Sequence, residues 1–591
     1  MPMMRTKRKA LIILLLSAAV TGAPGTALLS ADDLRWPLNL QPSLTGTLGE
    51  QRGDYLHSGI DIKTGGRTGH AVHAVDGGWL HSITARALGY GNSIILNHGR
   101  LFSQYAHLDS FAEGPAALNT LVNVIRLLYG GEVDDFAFKK TRISFAKGSV
   151  IGYSGETGSG PPHLHFAMRE PGGAANPLQF FKVPDTEAPV IKQLLFCIEK
   201  NGSTVKTIRV KAHGSGGVYR LADPVFLAGA DEKAFVKLAC YDRVAAGSRC
   251  AVNRIELFEG DKLLFGMDFD RYRWSDGGTG RFIYDKSNSV VDGISLYTYF
   301  LCRRQGNGLS RISAVDDGYL RAGETPRKFK VVASDYAGNK SSLEFALIRR
   351  SGTTASTAGE DFIRLRRHAG GALSDDTKNF TFTVGKHSLY DEAMLKVTSA
   401  QSHAQVQFLV KSGTVMEGDS SPVYTVKPYD QVYGRSAHVS IKRPASIPRE
   451  EAGNILIYRF YDHTMPAGLL TFYNARTDTF EADTPGNGNF TLLRDRKPPQ
   501  CHLPATYDFV VDDGVYRKLR LSLTDDLAGV NTRSVWLFVD GEKYPAAFDY
   551  DRGWLEAKLP KSALSKGTHH LFLRFRDRAN NETIVRNLLV F

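Results

Sequence analysis

What this chain is short of narrows the choices first. Its 591 residues hold five cysteines, Cys197, Cys240, Cys250, Cys302 and Cys501, and none falls in a Cys-x-x-Cys pair. That argues against a zinc site built from cysteine. In an oxidising compartment Cys240 and Cys250 could bridge across a hairpin; buried free thiols are the alternative. No dense block of Lys and Arg and no nucleic-acid-binding motif occurs, which sets nucleic acid aside as a partner. After the N-terminal segment, no stretch is long and apolar enough to cross a membrane.

The N-terminal segment itself reads as an export signal over residues 1–31. Arg5, Lys7, Arg8 and Lys9 form a basic start, and Ala10 to Val20 is an apolar-and-small run too short to span a bilayer comfortably. Cleavage after Ala27 or Ala31 is expected, with an uncleaved anchor as the alternative. No cysteine lies near that junction, which argues against a lipoprotein. The formal charge is +12, part of it on this segment. The remainder suits an anionic envelope surface, a matter of steering rather than of function.

The chain is too long for a single core. With 58 glycines and 10% aromatic residues, the composition leans toward a mainly β protein with many turns. Residues 32–184 form a first domain of short β-type runs. Within it, 113–147 departs from the pattern. Leu118, Leu121, Val122, Ile125 and Leu128 recur at helical spacing between Pro115 and Gly130-Gly131, which predicts an inserted amphipathic helix.

Downstream the chain repeats itself. Ile255 to Lys262 is echoed by Val535 to Lys543, each a strand running into a tight turn. Each follows an aspartate-bearing strand end, at Asp242 and at Asp525. Each repeat closes on Asp335 to Asn339 or Asp577 to Asn581, and each opens on a Pro-bearing stretch, Asp185 to Pro189 or Asp495 to Pro499. These units, 185–350 with an insertion and 495–591, look like bacterial immunoglobulin-like β-sandwiches. Residues 351–361 read as a Ser/Thr/Gly linker, and 362–494 as a further β module without recognisable chemistry.

The chemistry sits in the first domain. His57-Ser58-Gly59-Ile60-Asp61 is a His-x-x-x-Asp, and His163-Leu164-His165 a His-x-His, with Tyr105-Ala106-His107-Leu108 between them. Imidazole nitrogen and carboxylate oxygen are good zinc ligands, and catalytic zinc keeps three protein ligands and one open position. On a strand, His163 and His165 face one side while Leu164 and Phe166 face a core. One can then bind metal while the other reaches the metal-bound water. Each motif alone is weak; their order within one domain-sized stretch is what points to a metal site.

Here the sequence resembles the lysostaphin/LytM-type zinc metallopeptidases, which act on bacterial cell-wall peptidoglycan. The matching text is Gly49 to Arg52, His57 to Thr64, Ala74 to Gly78, Gly89 to Asn92, Tyr105 to Leu108, Ile151 to Gly158 and His163 to Phe166, over about residues 45–180. The resemblance implies a β-barrel-like, antiparallel-sheet peptidase domain and one Zn2+. It implies His57, Asp61 and His165 as ligands, and His107 and His163 as catalytic histidines that do not bind the metal. It implies an endopeptidase on cross-link or stem peptides, in the periplasm or cell envelope, with the β modules open to an envelope protein partner. Two departures stand out: Gly160-Pro161-Pro162 precedes the His-x-His, and Ala167 follows it where an acidic residue is common. The alternative is a non-hydrolytic regulator of a cell-wall amidase, or a wall-binding protein, on the same fold. His163 is expected to handle the attacking water and His107 the oxyanion or leaving group, with the reverse assignment open. His70, His73, His81 and His98 have no matching role and are expected at surface or turn positions. Tyr105 is either a transition-state contact or a packed aromatic. Arg52 either meets a substrate carboxylate or forms a structural salt bridge. The inserted helix either packs on the domain's flank or the β tail, or forms a lid.

Overall fold

The computed structural model describes residues 34–590, apart from 87–88, 113–117, 130–132, 139–142, 159, 201–202, 230–231, 247, 350–361, 367–368, 390–392, 504–510, 513–515, 545, 550–553 and 561–566. The export signal expected at 1–31 and the linker at 351–361 lie outside the described residues. The protein is mainly β, and no described helix is long and apolar enough to cross a membrane.

The first domain contains β1 (Leu44–Gly46), β2 (Gln51–Arg52), β3 (Tyr55–Leu56), β4 (Ile60–Lys63), β5 (Ala71–His73), β6 (Gly78–Ala85) and β7 (Asn92–Asn97). It continues with β8 (Phe102–Ala106), β9 (Leu108–Phe111), α1 (Leu118–Tyr129), β10 (Val133–Ala137), β11 (Ser144–Phe145), β12 (Val150–Ser154), β13 (His163–Glu170) and β14 (Gly173–Ala175). The main sheet runs β1-β4-β13-β8-β7-β6-β10, all antiparallel, and a smaller one runs β5-β12-β9. Strand β13 is the axis of the site. Its neighbours set His165 opposite Asp61 on β4 and opposite Ala106 on β8. Alternation along β13 sends Leu164, Phe166 and Met168 into a core with Ile60, Ile62, Ile94 and Tyr105. Its two histidines therefore share the opposite face.

Helix α1 forms where the apolar spacing predicts it; Pro115 and Gly130-Gly131 lie outside the described residues. Leu118, Val122 and Ile125 are buried in the domain's own core. The helix lies against β9 and β10. Asn119 clips it there: its Nδ2 donates to the Phe111 carbonyl at 2.7 Å and its Oδ1 accepts from the Phe111 amide at 3.0 Å. Strands β10 and β11, also in the insertion, pair with β6. The stripe is thus buried on the flank, where each such side chain contributes about 1.5–3 kcal/mol.

The sheet does not stop at the end of this domain. Strand β14 pairs with Arg271–Arg273 of the next unit. Leu48, Leu56 and Ala174 lie in the hydrophobic core of that unit, with Phe196, Leu238, Phe269 and Tyr272. Tyr272 and Tyr284 donate hydroxyl bonds back to the Leu56 and Gly49 carbonyls. This second unit is one large, mostly antiparallel sheet in which Val225–Ala228 runs parallel to Lys340–Arg349. Residues 363–494 form two sheets around Phe380, Phe382, Tyr424 and Phe490. Residues 500–590 form two more around Leu519, Leu521, Leu571 and Leu573. The echoed sequences are hairpins: Arg254–Glu259 with Lys262–Asp268, and Val530–Val539 with Glu542–Tyr544. All five cysteines are free thiols. The strand bearing Cys240 does pair with the one bearing Cys250, but Cys250 lies opposite Asp242, two residues out of register.

Candidate metal centre and catalytic site

Three side chains converge where β4 meets β13. His57 Nε2 lies 2.9 Å from His165 Nδ1, and each is 3.1 Å from Asp61 Oδ1. All three residues are buried, at 7%, 2% and 7% exposure for His57, His165 and Asp61. They form a group able to hold a metal ion. His57 Nδ1 faces the Thr47 carbonyl at 2.8 Å. A carbonyl only accepts, so Nδ1 carries the proton and Nε2 turns a lone pair inward. Tetrahedral zinc with bonds of about 2.0–2.1 Å places its ligand atoms roughly 3.3 Å apart. The three donors fit that spacing after opening by a few tenths of an ångström. His165 Nε2 is buried without a hydrogen-bond partner, so this imidazole engages the centre through Nδ1 alone.

The electrostatics match a cation-ready centre. Burial works to raise the Asp61 pKa, but His57 and His165 outweigh it and hold the carboxyl well below its usual range. Burial, with His57 adding to it, pushes His165 down to about 4 against the pull of Asp61. Both ligand types therefore stand in their metal-binding forms near neutral pH.

Two further histidines border this group. His163 Nε2 is 3.6 Å from Asp61 Oδ1, and the His107 and His163 rings are 4.5 Å apart. Each donates its Nδ1 proton to a backbone carbonyl: His107 to Thr157 at 2.8 Å, His163 to Pro161 at 2.6 Å. Each therefore presents Nε2 as an acceptor. Pro161 thus belongs to the Gly-Pro-Pro departure yet supplies the carbonyl that orients His163. His107 sits at the break between β8 and β9 with φ 59°, a conformation costing a non-glycine residue about 1–2 kcal/mol. Burial, then the neighbouring His163 and His165, lowers its pKa well below the ordinary value.

The carbonyl that orients His107 depends on two glycines. A Cβ on Gly91 would meet the Thr157 carbonyl oxygen at 2.2 Å, and one on Gly158 would meet the Gly89 oxygen at 2.2 Å. The two turns pack backbone against backbone, which only glycine permits. Sequence reasoning passed over Thr157, Tyr90 and Glu50 as site residues. Tyr90 shares a 2.6 Å hydroxyl bond with Ser58, and its ring is 5.2 Å from His165. Glu50 is buried and pairs with Arg52, whose Nη2 donates to Asp61 Oδ2 at 2.6 Å. Their nearest signals were the flanking glycine turns.

The remaining candidates fall outside the centre. Tyr105 is fully buried in the core, its hydroxyl accepting from the Val75 amide, so it is a packed aromatic. Arg52 is committed to its salt bridges. His70, His73 and His98 bond to the carbonyls of Thr64, Gly148 and Gly77; His73 is buried rather than at the surface. His81 stacks edge-on with Phe102.

No family model matches the chain, and no curated protein matches it. Solved structures similar to part of it include a mutant catalytic domain of the prophage-encoded M23 protein EnpA from Enterococcus faecalis, at 20% identity over 22% of this chain and 82% of that one, with a TM-score of 0.16. Csd3 from Helicobacter pylori is similar at 24% identity over 26% of this chain and 34% of that one, with a TM-score of 0.19. A complex of SpoIIIAH and SpoIIQ contains a chain similar at 19% identity over 25% of this chain and 99% of that one, with a TM-score of 0.18.

Proposed function

We propose that this chain is an exported zinc metalloendopeptidase that hydrolyses amide bonds in the peptide part of peptidoglycan. The observation that carries the proposal is the convergence of His57 Nε2, His165 Nδ1 and Asp61 Oδ1, bordered by two histidines whose Nδ1 protons are tied to carbonyls. His57, Asp61 and His165 would hold one Zn2+. When bound, zinc lowers the pKa of water from about 15.7 toward 7 and polarises the scissile carbonyl. His163 Nε2, beside the ligand set, accepts the proton of the attacking water. His107 is neutral at rest, so the proton it gives is the one that His163 takes from water, handed across between the two rings, 4.5 Å apart. An imidazole with so low a pKa then releases that proton readily to the leaving nitrogen.

Peptidoglycan as substrate and a periplasmic or envelope location rest on the motif resemblance, with the basic N-terminal segment and positive charge in support. The β modules would engage the wall or an envelope protein. A non-hydrolytic regulator would keep the same fold without turnover. Metal analysis of the purified protein tests the centre: one zinc per chain is expected, absent from His57→Ala. Equal zinc in both proteins would refute the ligand set.

A further inference from the structure

We propose that Asp185, Asp242 and Asp335, and separately Asp495, Asp525 and Asp577, form two equivalent calcium sites at the junctions of the β modules. In each trio the residues offer carboxylate oxygens that lie within 4.8 Å of one another. The trios are built the same way. One aspartate leads into the module, ahead of Val190–Lys200 or Gln500–His502. A second stands at a strand end: Asp242 in Lys233–Arg243, Asp525 just after Tyr516–Thr524. The third opens the last turn, after Arg327–Ser334 or at the end of Thr568–Asp577.

The supporting bonds repeat as well. Asn339 Nδ2 donates to Asp335 Oδ2 at 2.7 Å and to the Asp185 carbonyl at 3.3 Å. Asn581 Nδ2 donates to Asp577 Oδ2 at 2.8 Å and to the Asp495 carbonyl at 3.1 Å. The same asparagines donate backbone amides to Asp335 Oδ1 and Asp577 Oδ1, both at 2.9 Å. Two modules of different sequence thus hold the same three carboxylates in the same frame.

What the frame lacks is a paired cation, although Lys182 lines the cavity beside the first trio. Among the described residues none of the six carboxylates pairs with Lys, Arg or His. Asp242 is only 2% exposed, and its Oδ1 has no hydrogen-bond partner; Asp525 Oδ2, its counterpart, has none either. A buried carboxylate oxygen left bare is costly, and three carboxylates together are more so. Burial first, and then the neighbouring aspartates, push Asp242 up to about 8 and Asp577 up to about 7. A divalent cation among the oxygens would reverse both effects.

The donor set selects the cation. It is all oxygen, which suits hard ions and not zinc. Calcium accepts about six to eight oxygens in a flexible geometry, whereas magnesium demands a near-ideal octahedron and gives up its waters reluctantly. The first trio has room for water ligands. Asp185 and Asp242 line a cavity of about 270 Å³ together with Thr47 and Leu48 of the first domain. The second trio lies where Asn454 of the preceding module donates to the Ala579 carbonyl and Asn581 Oδ1. A bound ion would therefore stiffen the end of each module that meets the unit before it.

The test uses the full chain, depleted of divalent ions on a chelating resin and resupplied with one equivalent of zinc. Calorimetric titration with calcium chloride should show two sites, weaker binding of magnesium, and a rise in melting temperature. Asp242→Asn and Asp525→Asn, each at the residue with a bare oxygen, should each remove one site and leave zinc content unchanged. Absence of calcium binding by the wild-type chain overturns the proposal, whether or not the variants fold. So does calcium stoichiometry that survives the double variant. A folded variant is recognised without calcium by an unchanged or higher melting temperature, since each substitution removes a buried repulsion.

Discussion

Arg52 Nη2 holds Asp61 Oδ2 at 2.6 Å, which leaves Oδ1 as the oxygen that meets His57 and His165. The guanidinium is itself aimed by the buried Glu50. A supporting partner of this kind fixes a ligand's orientation, and its loss typically costs 10–100-fold in metal affinity or activity. Arg52→Ala should therefore weaken zinc binding by about that factor in a chelator competition. A rise in KM with zinc affinity unchanged would mean that Arg52 contacts substrate instead.

His107 and His163 should separate from the ligands in their effects. Substituting either with Ala should lower turnover by about 100-fold or more while leaving zinc in place, the scale expected of an acid–base group. Paired metal analysis and peptide kinetics check this. Zinc lost from His163→Ala but retained by His165→Ala would reverse the assignment.

Truncation should depend on where the chain is cut. Ending it at 184 exposes Leu48, Leu56 and Ala174, which are buried in the following unit. That form should be poorly soluble or unfold at a lower temperature. Ending it at 350 keeps this core and should retain hydrolysis of small soluble peptides. Equal melting temperatures for the two fragments would show the shared core to be unimportant.

Lys237 joins two modules, with Nζ 2.7 Å from both Asp285 and Asp430 in a fully buried position. Removing the lysine strands two buried carboxylates, so Lys237→Met should cost about 3–5 kcal/mol, and Asp430→Asn less. Burial acts to raise the Asp430 pKa, but Lys237 and then Arg304 hold it below the ordinary value. Its folded pKa is thus lower than its unfolded one. The stability it contributes is present above about pH 3.9 and is lost as the pH falls through the folded value. Denaturant midpoints across an acid series measure this; the acid-labile part should shrink in Asp430→Asn.

Replacing α1 with a short Gly-Ser loop should lower stability through loss of Leu118, Val122 and Ile125 from the core. A variant of unchanged melting temperature that cleaves a broader set of peptides would restore the lid reading.

The ligand residues were legible because two short periods expose them: a His-x-His on a strand must present both imidazoles to one face. The spacing of α1 was legible for the same kind of reason. The pairing of Asp61 with His165 was not, since register across β4 and β13 depends on the whole sheet. Leu48, Leu56 and Ala174 carry no local mark of belonging to a neighbour's core. Lys237 and Asp430 meet across 193 positions, and nothing at either one announces the other. The six aspartates were visible as a repeat, but their convergence into trios required the fold.

The central claim is hydrolysis at the His57, Asp61 and His165 centre, and it is tested most directly by mass spectrometry of muropeptides after incubation of peptidoglycan with the purified protein. The expected result is a new set of peptide-cleaved fragments, lost on chelation, restored by zinc and absent with His165→Ala. Fragments that persist in His165→Ala, or no fragments from a protein carrying one zinc per chain, would contradict it.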